Sequence, residues 1–115
     1  MKYMLLLFEP DTDWLSVPKE QLDAELRAHG EFCRYLDEHG IPYSGAALRP
    51  STAATTLRPD GSETIIADGP YIELKENLCG YYIIDVDDLD QALEVARRCP
   101  IASGIEIRPT WDTTT

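Results

Sequence analysis

Apolar residues fall on both faces of the first segment of the chain. In residues 2–8, Tyr3, Leu5 and Leu7 point one way and Met4, Leu6 and Phe8 the other, the period of two that marks a strand. Both sets are apolar, so both faces of this strand need cover. Residues 9–18 hold Pro10, Pro18 and Trp14 and read as a loop. Pro18 suits the first turn of a helix, with its cap near Ser16 or Val17. The period then changes to three and four. Leu22, Leu26, Cys33 and Leu36, with Phe32 beside them, predict an amphipathic helix over residues 19–38, ended by Gly40. His29 lies on that stripe between Leu26 and Cys33, while Arg27, Arg34, Asp37 and Glu38 take the wet side.

The second half alternates again. Residues 42–48 and 53–57 read as strands, Pro59-Asp60-Gly61-Ser62 as a turn, and residues 63–67 as the returning strand. Residues 78–86 carry the strongest strand pattern, with Leu78, Gly80, Tyr82, Ile84 and Val86 on one face and Cys79, Tyr81 and Ile83 on the other. A second helix starts at Asp87 or Asp88. Its first turn is acidic, Arg97-Arg98 load its end, and Leu89, Ala92, Leu93 and Ala96 face inward. Pro100 stops it, and residues 104–108 form a last strand closed by Pro109. The tail from residue 112 reads as frayed. No internal repeat, low-complexity tract or linker interrupts the chain, so one domain is expected.

The order β-α-β-β(-β)-β-α-β predicts an α+β, ferredoxin-like sandwich, an antiparallel sheet with two helices on one face. Two helices cover one face only, yet strands 2–8 and 78–86 are apolar on both. A second copy of the chain, packed sheet to sheet, is the economical cover, so a homodimer is expected.

Charge narrows the partners. The 115-residue chain has 21 acidic residues against 10 Lys and Arg, for a net charge of −11. Phosphate backbones and anionic lipid both need a basic face, so neither nucleic acid nor membrane is an expected partner. The opening apolar run is short, Glu9-Pro10-Asp11 follows at once, and no cleavage site is seen, so it reads as a strand rather than a leader. Cys33, Cys79 and Cys99 form an odd set without CxxC or zinc spacing and fit reduced thiols in a cytoplasm. No phosphate loop, dinucleotide fingerprint, Ser-His-Asp order or metal cluster appears, and no cofactor is expected.

Chemistry concentrates in Asp68-Gly69-Pro70-Tyr71-Ile72-Glu73-Leu74-Lys75-Glu76, between two strands that a much shorter turn could join. Asp-Gly-Pro is good turn chemistry, in which Asp68 caps backbone N–H groups. Lys75 either binds an anionic ligand or pairs with Glu73 or Glu76. Tyr71 and Trp14 could floor or lid an aromatic pocket, Tyr71 also suiting a dimer seam. His39, at the helix end, favours the helix dipole.

Met1-Lys2-Tyr3-Met4-Leu5-Leu6, Ala67-Asp68-Gly69-Pro70-Tyr71, Lys75-Glu76, the run Gly80-Tyr81-Tyr82-Ile83-Ile84-Asp85-Val86-Asp87-Asp88-Leu89-Asp90 and Ile105-Glu106-Ile107-Arg108-Pro109 occur in an order that resembles DGPF-type proteins of the YCII-related superfamily. Tyr71 stands where that motif has phenylalanine. The resemblance implies a dimeric α+β barrel of ferredoxin-like subunits. It implies either a cofactor-free lyase or isomerase acting on a small aromatic or anionic molecule, or a non-catalytic ligand-binding or regulatory module linked to stress or sigma-factor signalling. In the YCII pattern a histidine precedes the helix-ending glycine by eleven residues, the separation of His29 and Gly40. A lone histidine on an apolar stripe reads as either a satisfied core residue or a site residue. The resemblance offers His29 as the general base and Asp68, named by the motif, as its orienting carboxylate. The residues that could surround a ligand are Trp14, Tyr71 and Lys75.

Overall fold

In the computed structural model, which describes residues 1–113, eight regular elements follow one another: strand β1 (Lys2–Glu9), helix α1 (Lys19–Glu38), strands β2 (Tyr43–Ala47), β3 (Thr55–Asp60), β4 (Glu63–Asp68) and β5 (Asn77–Asp85), helix α2 (Leu89–Ala96) and strand β6 (Gly104–Pro109). Four of the strands form an antiparallel sheet in the order β2-β5-β1-β6, while β3 and β4 pair only with each other. This is the expected α+β, ferredoxin-like architecture, with a hairpin inserted between the second and third strands of the sheet. Asp112 and Thr113 are exposed and outside regular structure, and the rest of the expected frayed tail lies outside the described residues.

One face of the sheet makes the core. Tyr3, Leu5, Leu7 and Ile84 are buried against Phe32 and Leu36 of α1 and Ala92, Val95 and Ala96 of α2. The rotation of α1 differs from the expected one. Its inward line is Leu22, Glu25, His29, Phe32 and Leu36, and Leu26 is 61% exposed. At 100° per residue, Glu25 lies about 20° around the helix from Leu36 and Leu26 about 80°. Burying both Phe32 and Leu36 therefore brings Glu25 inward and turns Leu26 out. At the end of the helix Gly40, at φ 63, reverses the chain, and Ile41 N–H donates to Leu36 O at 2.9 Å as Ile41 enters the core. The N-cap is Pro18 itself, without a side-chain cap.

Helix α2 is capped as expected by Asp88, whose carboxylate accepts from Gln91 N–H at 2.9 Å. Its inner line is corrected as well: Ala92, Val95, Ala96 and the following Cys99 are buried, while Leu89 and Leu93 are exposed. Small alanines let the helix sit close to the sheet, which leaves the longer leucines at its flanks. The helix also stops before Arg97, and Arg98 lies over the Tyr35 ring at 4.9 Å.

A bulge changes the faces of β5. Leu7 pairs with Gly80 but Phe8 pairs with Leu78, so Cys79 is the extra residue. Cys79 therefore packs against the core, although alternation predicted it beside Tyr81 and Ile83. Leu78 moves to the other face.

The hairpin is longer than expected and starts later. Ser51–Ala53 form a 3₁₀ turn, β3 runs to Asp60, and Gly61-Ser62 alone close the loop. Pro59 is tolerated inside β3 because β3 has no second neighbour to need its missing N–H. Every residue of β4 and all of β3 except Thr56 are exposed, Leu57, Ile65 and Ile66 included. The radius of gyration is 16.3 Å, against about 13 Å for a compact chain of this length. The hairpin is an arm without a core of its own. On the sheet face opposite the helices, Met4 pairs with Ile83 and Leu6 with Tyr81 across the central strands, and all four are half-buried.

The corrected rotation of α1 has a measurable consequence. Leu36→Ala should lower unfolding free energy by about 2–5 kcal/mol and Leu26→Ala by less than about 0.5 kcal/mol in urea titrations. Equal losses would contradict this packing.

Candidate functional site

Between the first half of α1, the loop after β1, the bulge in β5 and residues 100–104 lies a cavity of about 180 Å³. Its polar lining is Glu9, Glu25, His29 and Cys79, with Trp14 on the wall and Leu7, Phe8, Pro100 and Ile101 among the apolar lining. Each element delivers its residue for a local reason. The rotation that buries Phe32 and Leu36 turns Glu25 and His29 inward. The bulge swings Cys79 to the helix side. The loop carrying Trp14 is tied down by Asp11, which accepts from the backbone N–H of Ser51 at 3.0 Å and from its hydroxyl. Asp13 adds an ion pair to Arg49 at 3.5 Å. The Ser51 hydrogen bonds hold the Asp11 carboxyl below its ordinary value.

A chain of hydrogen bonds runs along one wall. His29 Nδ1 lies 2.7 Å from the Tyr82 hydroxyl, and Nε2 lies 3.1 Å from Glu25 Oε1. The imidazole and phenol rings are stacked at 5.9 Å, and Phe32 meets the Tyr82 ring edge-on at 5.0 Å. Burial, followed by the neighbouring Cys33, pushes the Tyr82 phenol well above its ordinary range, so it remains a neutral O–H. A phenol can donate or accept, so it satisfies Nδ1 in either imidazole tautomer. Gly45 makes room for this ring. A Cβ there would meet Tyr81 O at 2.5 Å and Tyr82 Cδ1 at 2.9 Å.

The thiol in the cavity is quiet. Burial first, then the Glu9 carboxylate, push Cys79 up to about 12, and its Sγ–H is directed at Leu7 O at 3.3 Å. A thiol so placed is no nucleophile near neutrality. Cys33, Cys79 and Cys99 are all unbonded to one another, Cys99 being buried and the other two half-buried. Among the described residues no group of three or more His, Cys, Asp or Glu side chains is placed to hold a metal ion.

Of the residues singled out in the sequence, the fold brings His29 and Trp14 to this cavity. Tyr71 lines a separate, open apolar groove of about 510 Å³ with Leu48, Ile72, Leu74 and Leu78. It sits under the Arg58 guanidinium at 4.3 Å, and Arg58 also donates to its carbonyl. Asp68 pairs through its backbone with Thr55 at the end of the hairpin, and neither Asp68 nor Lys75 lines either space. Within the chain, the carboxylate next to His29 belongs to Glu25. The sequence does carry a signal for it: Leu22, Glu25, His29, Phe32 and Leu36 repeat at three and four, and a glutamate inside such a line is out of place for a plain core. His39 stays at the exposed helix end, its Nδ1 2.9 Å from Tyr35 O.

The raised thiols predict an alkaline weakness. Cys79 and Cys99 both rise from 9.0 to about 12, chiefly through burial. The unfolded chain loses these protons first, so the stability they lend is whole below about pH 9 and is lost as pH climbs toward 12. Urea midpoints should fall between about pH 9 and pH 11, and the Cys79→Ala, Cys99→Ala double variant should fall less. Parallel curves for the two proteins would contradict the assignment.

Comparison with known proteins gives the family. The family model described as the YCII-related domain matches residues 1–114. An uncharacterised protein of Rhizobium meliloti (strain 1021) is 37% identical over 113 residues, covering 95% of this chain and 91% of the relative. Matched over nearly its whole length, the chain belongs to the YCII-related domain family.

Proposed function

We propose that the protein is a dimeric, cytoplasmic small-molecule-pocket protein that works without a cofactor and uses His29 for proton transfer, as a lyase or isomerase does. One observation carries the reading: the Glu25–His29–Tyr82 chain of hydrogen bonds borders a cavity of ligand size. Glu25 can only accept, so at rest Nε2–H donates to it and Nδ1 accepts from the Tyr82 hydroxyl. When a ligand displaces Glu25 and the ring changes tautomer, Nδ1–H donates to the Tyr82 oxygen and the Nε2 lone pair takes an O–H or C–H proton of the ligand. Glu25 then neutralises the imidazolium that forms. Trp14 and Phe8 supply the apolar wall for a ring. Asp68 and Lys75 have no part in this reading within one chain.

A second reading, a binding or regulatory module without turnover, is favoured by the same geometry in one respect. Both ring nitrogens already have partners within the chain. An NMR screen of small ring compounds, followed through the His29 ring resonances, tests the pocket. Compounds that shift His29 should lose their effect in His29→Gln. A screen in which none moves it would sink both readings. Deuterium uptake from heavy water into a bound compound, absent in His29→Gln, marks the enzyme. Binding without exchange or conversion marks the module.

The dimer is supported by what the helices leave uncovered. Met4, Leu6, Tyr81 and Ile83 form an apolar strip on the free sheet face. The open groove beside Tyr71 and the exposed Leu57, Ile65 and Ile66 of the arm add to that surface. Among the described residues no helix is long and apolar enough to cross a membrane. Light scattering should give twice the 12.9 kDa chain mass. Ile83→Glu, which puts a charge at the centre of the strip, should give the single mass with helix content kept. A wild-type monomer at micromolar concentration would overturn this part.

A further inference from the structure

We propose that the cavity beside His29 takes a small organic cation, a ring-sized molecule bearing an ammonium group, with Glu9 and Glu25 as its anionic contacts and Trp14 as its aromatic wall. The proposal rests on the reading of this cavity as a ligand site and adds the charge of the ligand. It also replaces the expected anionic ligand with the opposite class.

The lining decides the sign. Two carboxylates face the cavity and no lysine or arginine does. Glu9 Oε1 accepts from Trp14 Nε1–H at 3.1 Å, and Glu25 Oε1 lies 3.1 Å from His29 Nε2. In each case Oε2 is left to accept another donor. Among the described residues Glu9 has no ion pair, and Glu25 pairs only with His29. The two carboxylates attract a cation that arrives with its own donors and repel an anion. An ammonium has three N–H donors, enough for both glutamates. Its charge is also attracted by an indole face. The Trp14 ring is held in place for that contact, since its own N–H is tied to Glu9. A cavity of about 150 Å³ holds one benzene. The present volume of about 180 Å³ therefore suits one ring with a short substituent.

The test uses three probes of one shape: benzylammonium, benzyl alcohol and benzoate. The chain has two tryptophans, and Trp111 is 88% exposed and away from the cavity. In full-length Trp111→Phe protein, emission therefore reports Trp14. Benzylammonium should bind at least about tenfold more tightly than benzyl alcohol, and benzoate more weakly than either. Glu9→Gln and Glu25→Gln should each weaken benzylammonium about three- to tenfold while leaving benzyl alcohol within about twofold. Both glutamates are half-exposed, so neither change strips the core, and retained binding of benzyl alcohol confirms an intact cavity. Benzoate binding as tightly as benzylammonium overturns the cation assignment and leaves the cavity a ligand site. Equal affinities for the amine and the alcohol do the same. Silence from all three at about 10 mM overturns the proposal, and still His29 resonances at that concentration overturn the pocket with it.

Discussion

The contact between α1 and the centre of the sheet is the constraint from which the rest follows. Phe32 and Leu36 are buried against the face that holds Leu5 and Ile84. A helix can turn only one line of residues toward a sheet, and these two large side chains choose the line. His29 and Glu25 belong to it, about one and two turns before Phe32. Their inward position is thus a by-product of hydrophobic packing further along the same helix. The hydrogen bonds to Tyr82 and between Glu25 and His29 then compensate two polar groups that packing has carried to the edge of the core.

The cavity arises where regular structure fails. The bulge at Cys79 breaks the alternation of β5 at this end of the sheet and brings a thiol to the helix side. The loop after β1 spans the gap without a helix or strand of its own, and it keeps its place through Asp11 and Asp13. Rigid elements therefore supply the acid–base groups, and pinned loop supplies the aromatic wall. That division suits a pocket whose charges must be held while its rim admits a ligand.

The opposite face of the sheet obeys the same accounting of apolar surface. Two helices suffice for one side. The strands are apolar on both, and the exposed arm adds Leu57, Ile65 and Ile66. The chain gains little by folding the arm onto itself, because a two-stranded hairpin has no interior. Surface of this kind acquires stability only when something else is laid on it, which is why a second copy is proposed as its cover.

Period and punctuation alone determined much of this protein. Alternation in residues 2–8 and 78–86, the three-and-four repeat of α1, Asp88 at the start of α2 and Gly40 as a stop were enough for the element order and the ferredoxin-like fold, because these signals act within a few residues. His29 stood out for the same local reason. The carboxylate beside it also had a local signal. Asp68 had the motif, but Glu25 precedes His29 by four residues, and such pairs meet on any helix. What the rotation of α1 decides is that this pair faces inward. The rotation depends on how Phe32 and Leu36 meet strands β1 and β5, both distant from them in the chain. The faces of Cys79 and Leu78 likewise hang on a bulge set by pairing with β1, and the exposure of Leu26, Leu89 and Leu93 on how closely each helix approaches the sheet. Local chemistry names the elements and their candidates. Packing between distant segments selects which side chains share a cavity, because only the line a helix turns toward the sheet is buried, and the polar groups on that line must find their partners there.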